Sequence, residues 1–176
     1  MKKVVFKAPW GAPLVLMTVT CGVICIFVSV VGIVLGLGAT PQGMSMIPPW
    51  AGWLLAVVPL LALMASAAFM VRGYVLIEGW LSIKRLGWAT PFNLSRLISA
   101  TADPEALHRS IRLFGNGGCF SFTGWFRNKK LGSYRAYATD TKKAVVLRFS
   151  DRTIVVTPDD PQKFVVEISL NIRREE

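Results

Sequence analysis

Between Lys7 and Arg72 the chain carries no charged residue, and no acidic residue precedes Glu78. A charge-free stretch of that length is foreign to the surface of a soluble domain. Histidine is nearly absent too: His108, in "DPEALHRS", is the only one and has no evident partner for acid–base or metal chemistry. The three cysteines do not make a disulfide framework, since Cys21 and Cys25 lie inside the charge-free stretch and Cys119 in the basic block that follows it. Cys21 and Cys25 have no histidine or carboxylate nearby to complete a metal site. "TVTC" also lacks the residues usual before a lipid-modified cysteine. What is present is basic: 20 lysines and arginines against 10 acids, a formal charge of +10, beside a hydrophobic fraction of 53%. A neutral apolar block is joined to a basic polar one.

The apolar block reads as two spans, residues 14–38 ("LVLMTVTCGVICIFVSVVGIVLGLG") and 51–71 ("AGWLLAVVPLLALMASAAFMV"). At about 1.5 Å per residue each can cross a hydrocarbon core of about 30 Å. Residues 39–50, with adjacent prolines at 48 and 49, suit a short aqueous connector. Trp10, Trp50, Trp53 and Tyr74 fall near the span ends, where amphipathic rings favour the interface. The alternative, a signal peptide cut near Gly38 or Ala39, asks for a shorter apolar stretch, since such regions run about 7–15 residues. Lys2, Lys3 and Lys7 precede the first span, Arg72, Lys84 and Arg85 follow the second, and the connector has no lysine or arginine. The positive-inside bias therefore predicts a multi-pass protein of a bacterial inner membrane. Residues 1–13 and 72–176 are then cytoplasmic and the connector external.

Thr18, Cys21, Cys25, Ser29, Gly32 and Gly36 recur every three or four residues, a small-residue stripe ending in GxxxG. Ala62 and Ser66 offer a matching face on the second span, and Pro59 is a candidate kink. The stripe is expected to meet the second span or a neighbouring copy. No ionisable group lies within either span, so a proton or ion pathway is not supported.

From Arg72 onward short strand signals dominate. "YVLIE" and "WLSIKRL" flank Gly79 as a tight hairpin, and "PFNLSRLISAT" gives two further candidates. "SIRLF" precedes the glycine-rich segment and "SYRAYAT" follows it. "AVVLRF" and "TIVVT" form the clearest hairpin, in which Val145, Leu147 and Phe149 share one face, as do Ile154 and Val156. In "PDDPQKFVVEISLNIRR", Asp160 can cap a helix beginning at Pro161. Its face is Phe164, Ile168 and Ile172, and Arg173 and Arg174 sit at the negative end of its dipole. Strands followed by one amphipathic helix suggest a bent antiparallel sheet or partly open barrel capped by that helix.

The order "GYVLIEGWLSIKR … RLFGNGG … GWFRNKKLGSYRAYATD … AVVLRFSDRTIVVTPDDPQKF" resembles the bacterial pleckstrin-homology-like (PH-like) domain family, over roughly Gly73 to Ile168. The resemblance implies about seven strands, a C-terminal helix, frequent attachment to a transmembrane pair, and no catalytic activity. It does not settle a function.

Two segments invite chemistry. Gly115–Gly118 ("GNGG") could cradle a phosphate with backbone N–H groups, but lacks the Gly-Lys-Ser/Thr ending of a P-loop; Asn116 and Gly117 suit a hairpin turn equally well. In "GWFRNKK", Trp125 and Phe126 could enter a lipid interface while Arg127, Lys129 and Lys130 meet phosphates; alternatively the aromatics are core and the cations solvated. The basic charge is explained by a membrane without nucleic acid. No cofactor is expected. Two functions remain open: a membrane-anchored protein-interaction or self-assembly module, and a sensor of anionic lipid surfaces through Trp125–Lys130.

Overall fold

The computed structural model describes residues 3–38 and 48–172. Residues 39–47 of the expected 39–50 connector, Arg173, Arg174 and the side chain of Ile172 lie outside the described residues, and residues 49–50 of that connector are helical. Two long helices come first, α1 (Ala12–Gly36) and α2 (Pro49–Ala68). Both begin two residues before the apolar runs, because Pro13 and Pro49 sit in their first turns, where a missing N–H costs nothing. Both are long and apolar enough to cross a membrane, and only 11% of each apolar window is buried. They are therefore not core helices of a soluble fold.

The helices meet along the small-residue stripe. Leu14, Thr18, Ser29 and Gly32 are buried on α1, and Gly52 and Ala56 on α2. A Cβ on Gly32 would lie 2.4 Å from the Ala56 nitrogen, and one on Gly52 2.4 Å from the Gly36 nitrogen, so backbone meets backbone. Gly36 lies under the Trp53 ring. Ser29 donates to the Cys25 carbonyl at 2.8 Å, satisfying its hydroxyl within α1. Cys25 and Ser66 are half-buried beside this seam, but Ala62 is exposed, so it does not supply the matching face. Gly52 and Ala56 do, and their four-residue spacing was visible in "AGWLLA".

The β domain has more strands than seven, in two sheets. The first pairs β1 (Lys3–Lys7), β2 (Gly73–Ile77), β3 (Trp80–Lys84) and β4 (Ala89–Asn93) in that order, all antiparallel. The second contains β5 (Leu97–Ala102), β6 (Ile111–Gly117), β7 (Phe122–Asn128), β8 (Gly132–Ala138), β9 (Val145–Phe149) and β10 (Thr153–Val156). Its order is β5-β9-β10-β8-β7-β6, with β10 and β8 parallel. The sheet is not closed into a barrel. β1 places the N-terminal segment inside the domain, Lys3 opposite Ile77 and Lys7 opposite Gly73. Both helices thus leave from and return to the same body.

Helix α3 (Pro161–Ile172) plugs the space between the sheets. Asp160 caps it, accepting from the Lys163 N–H at 3.0 Å, and Phe164 and Ile168 are fully buried. They join Val145, Leu147, Phe149, Ile154 and Val156 in the main core. Val146 and Val155 belong to a second cluster on the opposite face, so β9 and β10 are covered on both sides. Tyr74 is also in the core rather than at a span end. It occupies an inward position of β2, donates to the Tyr137 carbonyl at 2.6 Å and accepts from the Thr157 N–H at 3.0 Å. Burial pushes its phenol up to about 12.

Candidate functional site

The glycine-rich segment joins the β domain to the helices. Asn116 and Gly117 are paired strand residues, opposite Thr123 and Phe122, and the turn lies at Gly118–Ser121. Asn116 shapes it from its strand position: its amide donates to the Cys119 carbonyl, and its side-chain oxygen accepts from the Cys119 N–H at 3.0 Å. The left-handed backbone falls at Gly115 (φ +109°), Gly118 (φ +127°) and Phe120 (φ +64°), not at Gly117. An Asn-Gly pair resembles a two-residue turn, but here the side-chain cap supports a wider one.

That turn rests against both helices. The Thr18 hydroxyl of α1 donates to the Gly118 carbonyl at 3.2 Å and accepts from the Phe120 N–H at 3.0 Å. Ser121 donates to the Phe69 carbonyl at 3.4 Å, and the Cys119 thiol lies against Cys21 and Ser66. Burial, reinforced by Cys21, pushes that thiol up to about 11. No cluster of three or more metal-ligating side chains occurs among the described residues.

The C-terminal end of α2 is held similarly. Its last carbonyls have no partner within the helix. Arg85, just after β3, donates through Nη1 to the Phe69 carbonyl at 3.2 Å, and the Trp88 indole donates to the Ala68 carbonyl at 3.2 Å. This capture ends α2 before the expected position 71. The Arg85 guanidinium stands 5.5, 5.0 and 5.3 Å from the ring centres of Phe69, Trp88 and Tyr137. A cation at this pole complements the helix dipole.

Trp125 to Lys130 is not one exposed loop. Phe122–Asn128 is strand β7, so neighbouring side chains take opposite faces. Trp125 is exposed, whereas Phe126 is 7% exposed and stacks on Tyr134 at 6.1 Å; it cannot enter an interface without leaving the core. Arg127 and Lys129 are exposed, and Lys130 pairs with Asp103 at 2.5 Å. Lys129 is eight residues from Ser121 along the strand, roughly 26 Å from the helix-bound end of the hairpin.

The same hairpin carries an open edge. β6 ends its sheet, paired only with β7, and a register shift at Leu113 turns apolar side chains outward. Ile111 is 71%, Leu113 57% and Phe114 77% exposed. A groove of about 720 Å³ runs beside it, bordered by Ile111 and Leu113 and by Arg109, Arg127, Lys129 and Lys130, with Glu105 its sole acid. His108 also borders this groove, exposed.

An open two-sheet β domain plugged by a C-terminal helix, preceded by two apolar helices, defines a PH-like domain on a helical hairpin. The chain belongs to the bacterial PH domain family, whose model matches residues 72–172, from just before β2 to the end of α3. Strand β1 and both long helices lie outside that match. No curated protein and no solved structure matches the chain.

Proposed function

We propose that the chain is a non-enzymatic membrane protein whose PH-like domain takes up an extended segment of a partner protein at the inner face of the membrane. The uncovered apolar surface of α1 and α2 supports crossing, and the lysines and arginines flanking them support a cytoplasmic domain. The observation that carries the reading is the β6 edge. Among the described residues it has no strand on its outer side and exposes Ile111, Leu113 and Phe114; Arg112, which reaches the Gly115 carbonyl, is the one charge on the strand. Such an edge accepts an added strand, whose backbone supplies affinity and whose alternate side chains supply specificity. With Lys130 paired to Asp103, the groove's Arg109, Arg127 and Lys129 favour a segment that alternates apolar and acidic residues.

Blocking the edge tests this. Ile111→Lys combined with Leu113→Lys should leave the fold intact, because both side chains are already exposed. Capture of partner from crosslinked membranes should fall by about tenfold or more, consistent with the loss of one or two binding anchors. Undiminished capture by a folded variant would remove β6 from the account. Capture of the same chain alone would replace a foreign partner by self-assembly.

A further inference from the structure

A second cleft, of about 670 Å³, lies between the C-terminal end of α2, the β3–β4 turn and the outer face of β6–β8. We propose that it binds the phosphate of an anionic phospholipid, held by Arg85, Arg112 and Arg135. This rests on the reading that α1 and α2 cross the membrane, and it moves lipid contact away from the Arg127–Lys130 end of the hairpin.

Three arginines line the cleft and no carboxylate does. Arg85 is only 7% exposed; its guanidinium donates to the Phe69 carbonyl through Nη1 and lies against the Tyr137 phenol. Its Nε and that of Arg135 are enclosed with no hydrogen-bond partner among the described residues. Both guanidiniums stand 5.3 Å from the Tyr137 ring centre, and no carboxylate among the described residues lines the cleft beside them. Asp151, in the adjoining cleft that Arg135 also borders, is held by Arg152. Burial, with a smaller contribution from Arg135, pushes the Arg85 guanidinium below its ordinary value, although the Tyr137 phenol opposes this. A buried cation such as Arg85 is unfavourable unless an anion joins it; Arg135 beside it is half-buried, and exposed Arg112 donates to the Gly115 carbonyl at 3.4 Å. Guanidinium pairs suit phosphate because their planar N–H forks match its oxygens.

Position selects the source of the phosphate. Ala65 and Ser66 at the end of α2 form one wall, so acyl chains bound here would continue along the helix into the hydrocarbon. Exposed Phe69, Trp88 and Trp125 ring the mouth, where amphipathic and apolar rings suit the headgroup boundary.

The test is native mass spectrometry of the full chain released from detergent carrying phosphatidylglycerol or phosphatidylcholine. One phosphatidylglycerol per chain should be retained, with a preference of about tenfold or more over phosphatidylcholine. Arg135→Gln and Arg112→Gln should each reduce the preference, and Arg135→Lys should restore part of it. Neither residue caps α2, so their folding can be verified by circular dichroism even where Arg85→Gln fails to fold. Equal retention of the two lipids, or an unchanged preference in folded Arg135→Gln, would overturn the proposal. Displacement of the lipid by millimolar inorganic phosphate would overturn the lipid assignment in favour of a free anion. Alkaline extraction tests the crossing separately. Release of the chain from membranes defeats that reading, whereas retention without lipid preference defeats the cleft alone.

Discussion

Gly124→Ala is expected to destabilise the protein by roughly 3–5 kcal/mol, the sum of a strained backbone and an overpacked contact. Gly124 holds φ +143°, and a Cβ there would stand 2.1 Å from the Phe114 carbonyl oxygen and 2.8 Å from the Gly115 Cα. Its cross-strand partner Gly115 is equally confined, at φ +109° with a Cβ 2.4 Å from the Thr123 carbonyl oxygen. Neither strand can yield without opening β6–β7, the hairpin that rests on both helices. Against a total of about 5–15 kcal/mol for a domain, the loss is large. Gly132→Ala is the control: φ is +69° there, but nothing lies within 4 Å of the added carbon. It should cost only about 1–2 kcal/mol. Thermal unfolding of the two variants in the same detergent should separate them clearly, and equal midpoints would show that the glycine pair is not a close contact.

Gly32→Ile should likewise destabilise the helix pair. An added Cβ at Gly32 meets the Ala56 nitrogen at 2.4 Å, the Gly52 oxygen at 2.7 Å and the Leu55 carbonyl carbon at 2.8 Å. All three are backbone, so no side chain can swing aside and the helices must separate. Overpacking of this kind costs about 1–3 kcal/mol or more. Separation would also weaken the contacts of Thr18 and Ser66 with the Gly118–Ser121 turn. The variant should be less abundant in membranes and melt earlier. Gly22→Ile, at a site with nothing within 4 Å, should do neither. Equal behaviour of the two would make the stripe incidental.

Local pattern foretold the elements whose reasons are local. The charge-free runs marked α1 and α2, Asp160 followed by Pro161 marked the start of α3, and alternation marked β9 and β10. What stayed hidden depends on distant partners. β1 is five residues, "KVVFK", that pair with a strand some seventy positions later, and no local signal announces such pairing. β7 looked like a loop because Gly124 interrupts it and Trp125 adjoins Phe126. Only the opposing Gly115 explains the glycine, and only the pleat sends the two aromatics to opposite faces. Phe126 was therefore grouped with Trp125 although the sheet separates them. The Arg85–Arg135 cleft joins residues fifty positions apart, across an edge between two sheets that composition cannot reveal.

The central claim is that the helices form a membrane hairpin holding the PH-like domain at the cytoplasmic face. Both flanks of the hairpin belong to one β sheet, Lys3–Lys7 beside Gly73–Ile77, so they must lie on the same side. Alkaline phosphatase fused within Gln42–Ser45 and after Glu176 measures this most directly. The account predicts activity at the first position and none at the second. An active enzyme after Glu176 would put the domain outside, and with it the edge, the cleft and every argument from the inner leaflet.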